Sequence, residues 1–361
     1  MIVGYLLVLF IPLTLLINTV FNALLLRRPL DIPQKFNGSV DVLIPLRNEE
    51  ENLIGLLESL RSQVGIERIH FYLLDDNSTD NTYSNLLAHI DEDSRFTALR
   101  GKELPSQWLG KPFALHQLIG QSDAETIVLI DADVRLAPHA IANSAVKMGQ
   151  HNLDFVSIYP RQIALTFAER LIQPLLQWSW MSTVLLRIAE RSSNPKLAVA
   201  NGQFLICTSH ALKKIGGFEQ NKRAILDDIF LARTLLRQGF HGSVFDGSRI
   251  ARCRMYSSWK QVRDGYTKSL WSGFGSIAGS FVAIAFLFSS SVLPFLMIIL
   301  GFTWAWIGYV AIVLTRVISA LSTQGRVRDS LLHPISALAL IYLIVRSWAQ
   351  RGRVQWKGRT L

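Results

Sequence analysis

Polar and apolar positions divide the 361-residue chain into three stretches. The first, "IVGYLLVLFIPLTLLINTVFNALLL" (residues 2–26), carries no charge. At about 1.5 Å per residue it is long enough to cross a bilayer. The alternative is a buried core helix. A secretory signal needs a basic start, a shorter apolar core and a small-residue cleavage site. This segment has no basic start and is too long. Arg27 and Arg28 follow directly, so the positive-inside rule puts the chain after them in the cytoplasm.

After a linker at 29–38, short apolar runs alternate with helical periodicity. The runs at 40–46, 69–74, 126–130 and 154–158 predict strands; 49–63, 80–90, 111–121 and 138–149 predict helices. Continuous apolar strands separated by helices imply an α/β fold with a mostly parallel sheet covered on both faces. Ligands of such sheets bind beyond the carboxyl ends of the strands.

The third stretch, Gly273 to Thr315, again has no charge and is broken by Pro294 and Gly301. It has room for two spans, or for one span and an interfacial helix. "LLHPISALALIYLIV" (331–345) precedes a basic tail, and Trp304, Trp306 and Trp348 suit headgroup depth. Two spans within 273–315 and a third after it would put the tail outside. We therefore expect one crossing there, or a last segment that does not cross. The predicted organisation is an N-terminal transmembrane helix (1–28), a cytoplasmic domain (39–250), an amphipathic interfacial segment (251–272), C-terminal transmembrane helices (273–349) and a basic tail (350–361).

Half the residues are apolar, the mean hydropathy is +0.27 and the formal charge is +10. The charge suits anionic lipid headgroups or an anionic substrate. Nucleic acid is not the expected partner, because no basic patch is interleaved with aromatics on a soluble face. Cys207 and Cys253 have neither metal-ligand nor disulfide spacing and read as reduced, chemically neutral thiols.

The chemistry-bearing residues lie at predicted strand ends and helix starts. "LIDADV" puts Asp131 and Asp133 just past a buried strand. Mg²⁺ or Mn²⁺ takes hard oxygens, usually one or two carboxylates plus phosphate oxygens. A lone D-x-D is a weak signal, and its position strengthens it. "LLDDNSTD" ends another strand in Asp75 and Asp76. Asp80 or Ser78 caps the following helix, but capping leaves the adjacent acids unexplained, and they should face a polar cleft. There a carboxylate can accept a nucleobase N–H. "LIPLRNEEENL" groups Arg47, Asn48 and Glu49, while Glu50 and Glu51 suit a first helical turn. Lys111 in "LPSQWLGKPFAL" opens a helix against its dipole, a conflict a phosphate would relieve; otherwise it is a solvated lysine. Asp227 and Asp228 open the helix of "ILDDIFLARTLLRQGF"; one suits the dipole and the second can be a general base. One divalent cation, one nucleoside diphosphate and one base would use this whole set.

The order "IPLRNEE", "LLDDNSTD", "LPSQWLGK", "LIDADV", "GGF" and "LDDIFLA" resembles the family 2 inverting glycosyltransferases. "WLGK", "DGYTKSL", "HP" (333–334) and "VQWKGRTL" resemble their membrane-bound, lipid-modifying members, such as carotenoid glycosyltransferases. The resemblance implies a Rossmann-like GT-A domain using a UDP-sugar, with Mg²⁺ or Mn²⁺, flanked by transmembrane helices. By motif, Arg47 and Glu49 line the nucleotide pocket with Asp75, and Asp76 meets the uracil. Lys111 contacts the nucleotide or diphosphate. Asp133, helped by Asp131, holds the metal. Gly202 and Gln203 of "ANGQFLI" lie beside the donor sugar, and Asp228 is the catalytic base. The familiar Glu-Asp pair is here Asp227-Asp228. "TKSLW" (267–271) has Leu270 where processive synthases carry the arginine of a Q/R-x-x-R-W motif, which argues against processive synthesis.

The expected reaction moves a hexose, glucose by resemblance, to a membrane lipid: a carotenoid or other isoprenoid, with a glycerolipid or hopanoid as alternatives. Presentation at the bilayer surface suits an apolar acceptor. Lys260, Arg263 and Lys268 fit an interfacial stretch, or equally simple attraction to anionic lipid. A non-catalytic nucleotide-sugar-binding membrane scaffold predicts broken acid motifs, and these are intact. A transporter would need more spans and charges deep within them.

Overall fold

The computed structural model describes residues 6–29, 32–90, 93–353, 355–356 and 359–360. Positions 30 and 31 of the expected linker and four positions of the tail motif (354, 357, 358 and 361) lie outside them. The chain forms two compact units. One contains Arg27–Arg161 and Ile188–Arg254; the other contains the residues up to Leu26, Gln162–Arg187, and those from Met255 onward.

The first unit is built on strands β1 (Val40–Leu46), β2 (Ile69–Asp75), β3 (Phe96–Arg100), β4 (Thr126–Ile130), β5 (Val134–Leu136), β6 (Phe155–Tyr159), β7 (Phe204–Thr208), β8 (Gly242–Asp246) and β9 (Ala251–Cys253). Seven of them form a sheet in the order β3-β2-β1-β4-β7-β6-β8. β1 pairs in parallel with β2 and β4, β2 with β3, and β6 with β8. β7 runs antiparallel to both neighbours, β4 and β6. The expected GT-A-like, mostly parallel fold is thus present. β5 and β9 pair outside this sheet as an antiparallel ribbon, Val134 opposite Cys253.

The polarity of β7 decides where its first residues lie. An antiparallel strand begins where its parallel neighbours end. Ile130 pairs with Phe204, so Gly202 and Gln203 lie beside Asp131 rather than at the far edge. Helices Glu50–Arg61, Thr82–Ile90, Gly110–Ile119 and Ala140–Gln150 follow β1, β2, β3 and β5. The Asp80 carboxylate accepts from the Thr82 N–H at 3.0 Å, as a cap for the second of these should. Leu115, Leu118 and Ile119 join Leu43, Ile127, Leu129 and Leu205 of the sheet, and Leu231 and Leu235 from helix Asp227–Arg237, in one core. That apolar layer holds the charged helix starts at the sheet edge.

The second unit is helical. Among the described residues, four of its helical segments are long and apolar enough to cross a membrane: Val8–Leu25, Ile277–Ile299, Ala305–Ser322 and Val327–Ala349. Ile277–Ile299 falls within the stretch expected from 273 to 315, and Ala305–Ser322 begins in that stretch and runs beyond it. The expected interfacial segment 251–272 divides: Ala251–Cys253 is β9, its outer residues buried against the sheet unit's core, and Trp259–Phe274 is a helix with Ser258 as its cap. Polar pins join the helices. Asn18 Nδ2 donates to the Ser182 carbonyl at 2.8 Å, Asn22 Nδ2 to the Met181 and Val184 carbonyls at 2.8 and 2.6 Å, and Trp178 Nε1 to Thr315 Oγ1 at 2.7 Å. In apolar surroundings such bonds fix helix pairs that hydrophobic burial alone leaves unspecified.

Candidate active site

A pocket in the sheet unit is lined by Lys111, Asp131, Gly202, Asp227 and Asp228, with Pro45 and Leu115 among its apolar walls. Its polar groups arrive from four different elements. Asp131 follows β4, Gly202 precedes β7, Lys111 stands in the first turn of Gly110–Ile119, and the acid pair opens Asp227–Arg237.

Lys111 is the pocket's cation. Its Nζ lies 2.7 Å from Asp131 Oδ1 and 3.5 Å from Asp227 Oδ2. Burial alone would lower the ammonium's pKa; Asp131, Asp227 and Asp228 outweigh it and raise the pKa instead. The carboxylates supply what the helix dipole opposes, so Lys111 is not a freely solvated side chain.

Asp228 is clamped by backbone. Its Oδ2 accepts the Gly202 N–H at 2.7 Å and its Oδ1 the Ile229 N–H at 2.7 Å. Burial, and then repulsion from Asp227, push its carboxyl up to about 6, although Lys111 and both N–H groups pull the other way. A carboxylate poised near that value is suited to take a proton near neutral pH. Gly202 is constrained here: a Cβ would stand 3.2 Å from Asp228 Cβ and 3.4 Å from Lys111 Nζ.

Asp133 sits deeper. Its carboxyl is raised to about 6 by burial, then by Asp131, with the Cys253 thiol and Lys111 opposing. Its Oδ1 is buried and has no hydrogen-bond partner. An orphaned carboxylate oxygen beside a second acid fits a divalent cation that prefers hard oxygen ligands. Among the described residues, no three His, Cys, Asp or Glu side chains are placed to hold a metal by themselves. The donor set therefore suits Mg²⁺ or Mn²⁺ taken by Asp133, helped by Asp131, with substrate oxygens completing the shell. Arg135 braces the turn: its Nη1 donates to the Ala132 and Val134 carbonyls, and its Nη2 to the Asn52 carbonyl, each within 2.9 Å.

The remaining expected residues are engaged elsewhere at the same edge. Arg47 Nη1 donates to the Asp76 and Asn77 carbonyls at 2.5 and 3.0 Å, stitching the loops after β1 and β2. Asn48 and Asn77 adopt positive φ in those loops, a conformation asparagine tolerates. The Glu49 N–H donates to Thr82 Oγ1, and its carboxylate accepts from Asn52 Nδ2, both at 2.8 Å. Asp75 and Asp76 are 4% and 3% exposed. Asp75 accepts the Ser78 N–H at 3.3 Å, so turn formation accounts for part of its burial. The Gln203 side chain turns inward, accepting from Asn201 Nδ2 and donating to Cys253 Sγ, both at 3.0 Å.

Two residues of the site escaped the sequence reading. Cys253 looked neutral by spacing, yet its thiol faces the Asp133 carboxylate. The partnership depends on the β5–β9 ribbon, which spacing does not reveal. Arg135 was legible in principle, as a cation two positions after an acid pair on a strand.

Residues 41–216 match the model of glycosyl transferase family 2. Two curated relatives are the 4,4'-diaponeurosporenoate glycosyltransferases of Staphylococcus aureus strains MRSA252 and USA300. They are 24% and 23% identical, each aligned over 89% of this chain and 88% of its own length. Among solved structures, the mannosyltransferase PcManGT of Pyrobaculum calidifontis, in complex with GDP-Man and Mn²⁺, superposes with a TM-score of 0.58. It is 18% identical, and the match covers 93% of this chain and 94% of that one. The expected family 2 glycosyltransferase domain is present, and the chain is close to the carotenoid glycosyltransferases of that family.

Proposed function

We propose that this family 2 glycosyltransferase transfers a hexose, with inversion, from a UDP-sugar to an apolar lipid of the membrane, a carotenoid acid or related isoprenoid. The observation that carries the reading is Asp228, a half-buried carboxylate held by two backbone N–H groups beside the Lys111–Asp131–Asp227 cluster. The curated relatives, whose name specifies a carotenoid acid, and the four apolar helical segments favour a lipid acceptor.

In this reading Asp228 takes the proton of an acceptor hydroxyl as its oxygen bonds to the anomeric carbon. The bond from that carbon to the diphosphate oxygen breaks on the opposite face, and UDP leaves with the electron pair. A carboxylate acceptor arrives ionised, gives up no proton, and leaves Asp228 to orient the sugar. Lys111, released from Asp131, neutralises charge on the departing diphosphate. When bound, Mg²⁺ or Mn²⁺ supplies further electrostatic stabilisation of that leaving group. Arg47, Glu49, Asp75 and Asp76 position the nucleotide, and Gly202 and Gln203 flank the sugar. The sheet unit faces the cytoplasm, where nucleotide sugars are available.

The test is mass spectrometry of lipids from cells with and without the protein, paired with UDP release from UDP-glucose by purified membranes. A hexose mass increment on an apolar lipid, lost with Asp228→Asn, supports the reading. Neither a new glycolipid nor UDP release on any candidate lipid would favour the scaffold alternative.

A further inference from the structure

Helix Ala305–Ser322 of the helical unit carries an arginine, Arg316, that is 2% exposed. Its Nη1 lies 3.4 Å from His333 Nδ1, and its Nη2 is buried without a hydrogen-bond partner. The His333 ring stands 4.7 Å from Trp178, and its Nε2 meets Ser291 Oγ at 3.0 Å. Ser330 and Ser336, three positions to either side of His333, each bury a hydroxyl without a partner. These are donors awaiting an acceptor. A buried guanidinium costs several kcal/mol unless it is paired and hydrogen-bonded, and an ionisable residue within an apolar helix bundle marks a functional site by default.

The acids of this unit do not complete the pairing. Asp329 is within electrostatic reach of Arg316, but its Oδ1 is 2.5 Å from Arg170 Nη2 and its Oδ2 3.4 Å from Arg326 Nε. Glu169 caps its own helix through Thr166 and Leu165, and Asp264 pairs with Arg263. Three guanidinium groups therefore share one carboxylate, leaving a positive surplus beside a buried donor cluster. Trp178, which the His333 ring meets, belongs to an apolar cluster with Leu175, Leu287, Ile312 and Ile344.

We propose that Arg316 anchors a lipid-binding site inside the helical unit, which takes the anionic end group, carboxylate or phosphate, of an amphiphile whose chain lies among the apolar helices. The proposal does not depend on the function proposed above.

The test uses the full-length protein, delipidated and reconstituted into phosphatidylcholine nanodiscs without any nucleotide sugar. The probes are all-trans-retinoic acid and phosphatidylglycerol, with retinol and inorganic phosphate as controls. Wild-type protein should bind at least one anionic lipid about tenfold or more tightly than retinol, as a charge-assisted pair warrants. Arg316→Gln should abolish that preference and Arg316→Lys retain part of it. Preference for retinoic acid identifies a carboxylate lipid; preference for phosphatidylglycerol identifies a phospholipid. Should Arg316→Gln fail to fold, judged by size exclusion and helical circular dichroism, Ser336→Ala takes its place, with several-fold weakening expected. Equal affinity for retinoic acid and retinol with no phosphatidylglycerol preference overturns the proposal, as does unchanged binding in the folded variant. Binding of inorganic phosphate alone also overturns it, because the site would then be one for a free ion.

Discussion

The Gly202 N–H donates to Asp228 Oδ2 at 2.7 Å, joining the start of the antiparallel strand β7 to the first turn of helix Asp227–Arg237. One oxygen of the proposed base is thereby fixed by backbone, which no side-chain substitution nearby can remove. Its function can then be probed without dismantling its setting.

Asp228→Asn preserves shape and keeps a carbonyl oxygen for the Gly202 N–H. With a hydroxyl acceptor, kcat should fall about 10²–10⁴-fold, the usual contribution of a general base. The dissociation constant for UDP, measured by calorimetry, should change little. Native turnover in this variant would remove Asp228 from the proton-transfer role.

The pH profile should show the same group. Burial raises the Asp228 and Asp133 carboxyls to about 6, so both gain protons as pH falls through that value. For a hydroxyl acceptor, kcat/KM should be level above about pH 6 and fall below it by about tenfold per pH unit for each proton gained. Asp228→Asn should leave a shallower acid limb. Stability should move the opposite way. A folded-state pKa above the unfolded value makes the native protein bind more protons. The stabilisation these two groups give when protonated is fully present below the ordinary carboxylate range and lost as pH rises through about 6. A flat profile from pH 5 to 8 would contradict the assignment.

Asp133→Asn removes charge from the oxygen that lacks a partner. The Mn²⁺ concentration giving half-maximal activity should rise about tenfold or more, whereas KM for the acceptor should hold. Chelation by EDTA should stop the wild-type enzyme, and added Mn²⁺ or Mg²⁺ should restore it. Activity untouched by EDTA would separate Asp133 from any metal.

Gly202→Ala puts a methyl group 3.2 Å from Asp228 Cβ and 3.4 Å from the Lys111 ammonium. Both side chains must give way by a few tenths of an ångström. Turnover should drop about tenfold, consistent with the sensitivity of catalysis to small misplacement. The melting temperature, by contrast, should change little, because the pocket is already polar and partly open. Full activity in Gly202→Ala would show that the clamp does not set the base's position.

The parts of the fold legible in the sequence were those with strong local patterns. β1 and β4 are unbroken apolar runs, and their predicted limits, 40–46 and 126–130, match the observed strands. β3, "FTALR", and β8, "GSVFD", lie at the two sheet edges; β3 is partly exposed and ends in Arg100, and β8, though largely buried, carries Gly242, Ser243 and Asp246, so neither is an unbroken apolar run. β7 is a plain apolar run, but its antiparallel direction comes from pairing between β4 and β6, which periodicity does not encode. For the site, residue types identified Asp131 at a strand end and Lys111 and Asp228 at helix starts, the family resemblance added Gly202, and these four share one pocket. Side-chain direction was not legible. Gln203 turns to Cys253, 50 positions away in sequence, and Asp75 to the Ser78 N–H of its own turn.

The amide grips of Asn18 and Asn22 on the carbonyls of Met181, Ser182 and Val184 have a practical consequence. The gripped stretch, Gln162–Arg187, interrupts the sequence of the sheet unit but belongs to the helical one. Trimming both chain ends to obtain a water-soluble catalytic fragment would strip those carbonyls of their donors and leave the helices Phe167–Ile172 and Pro174–Thr183 bare. A usable fragment therefore requires internal surgery: excision of that stretch and a short bridge in its place, as well as terminal truncation.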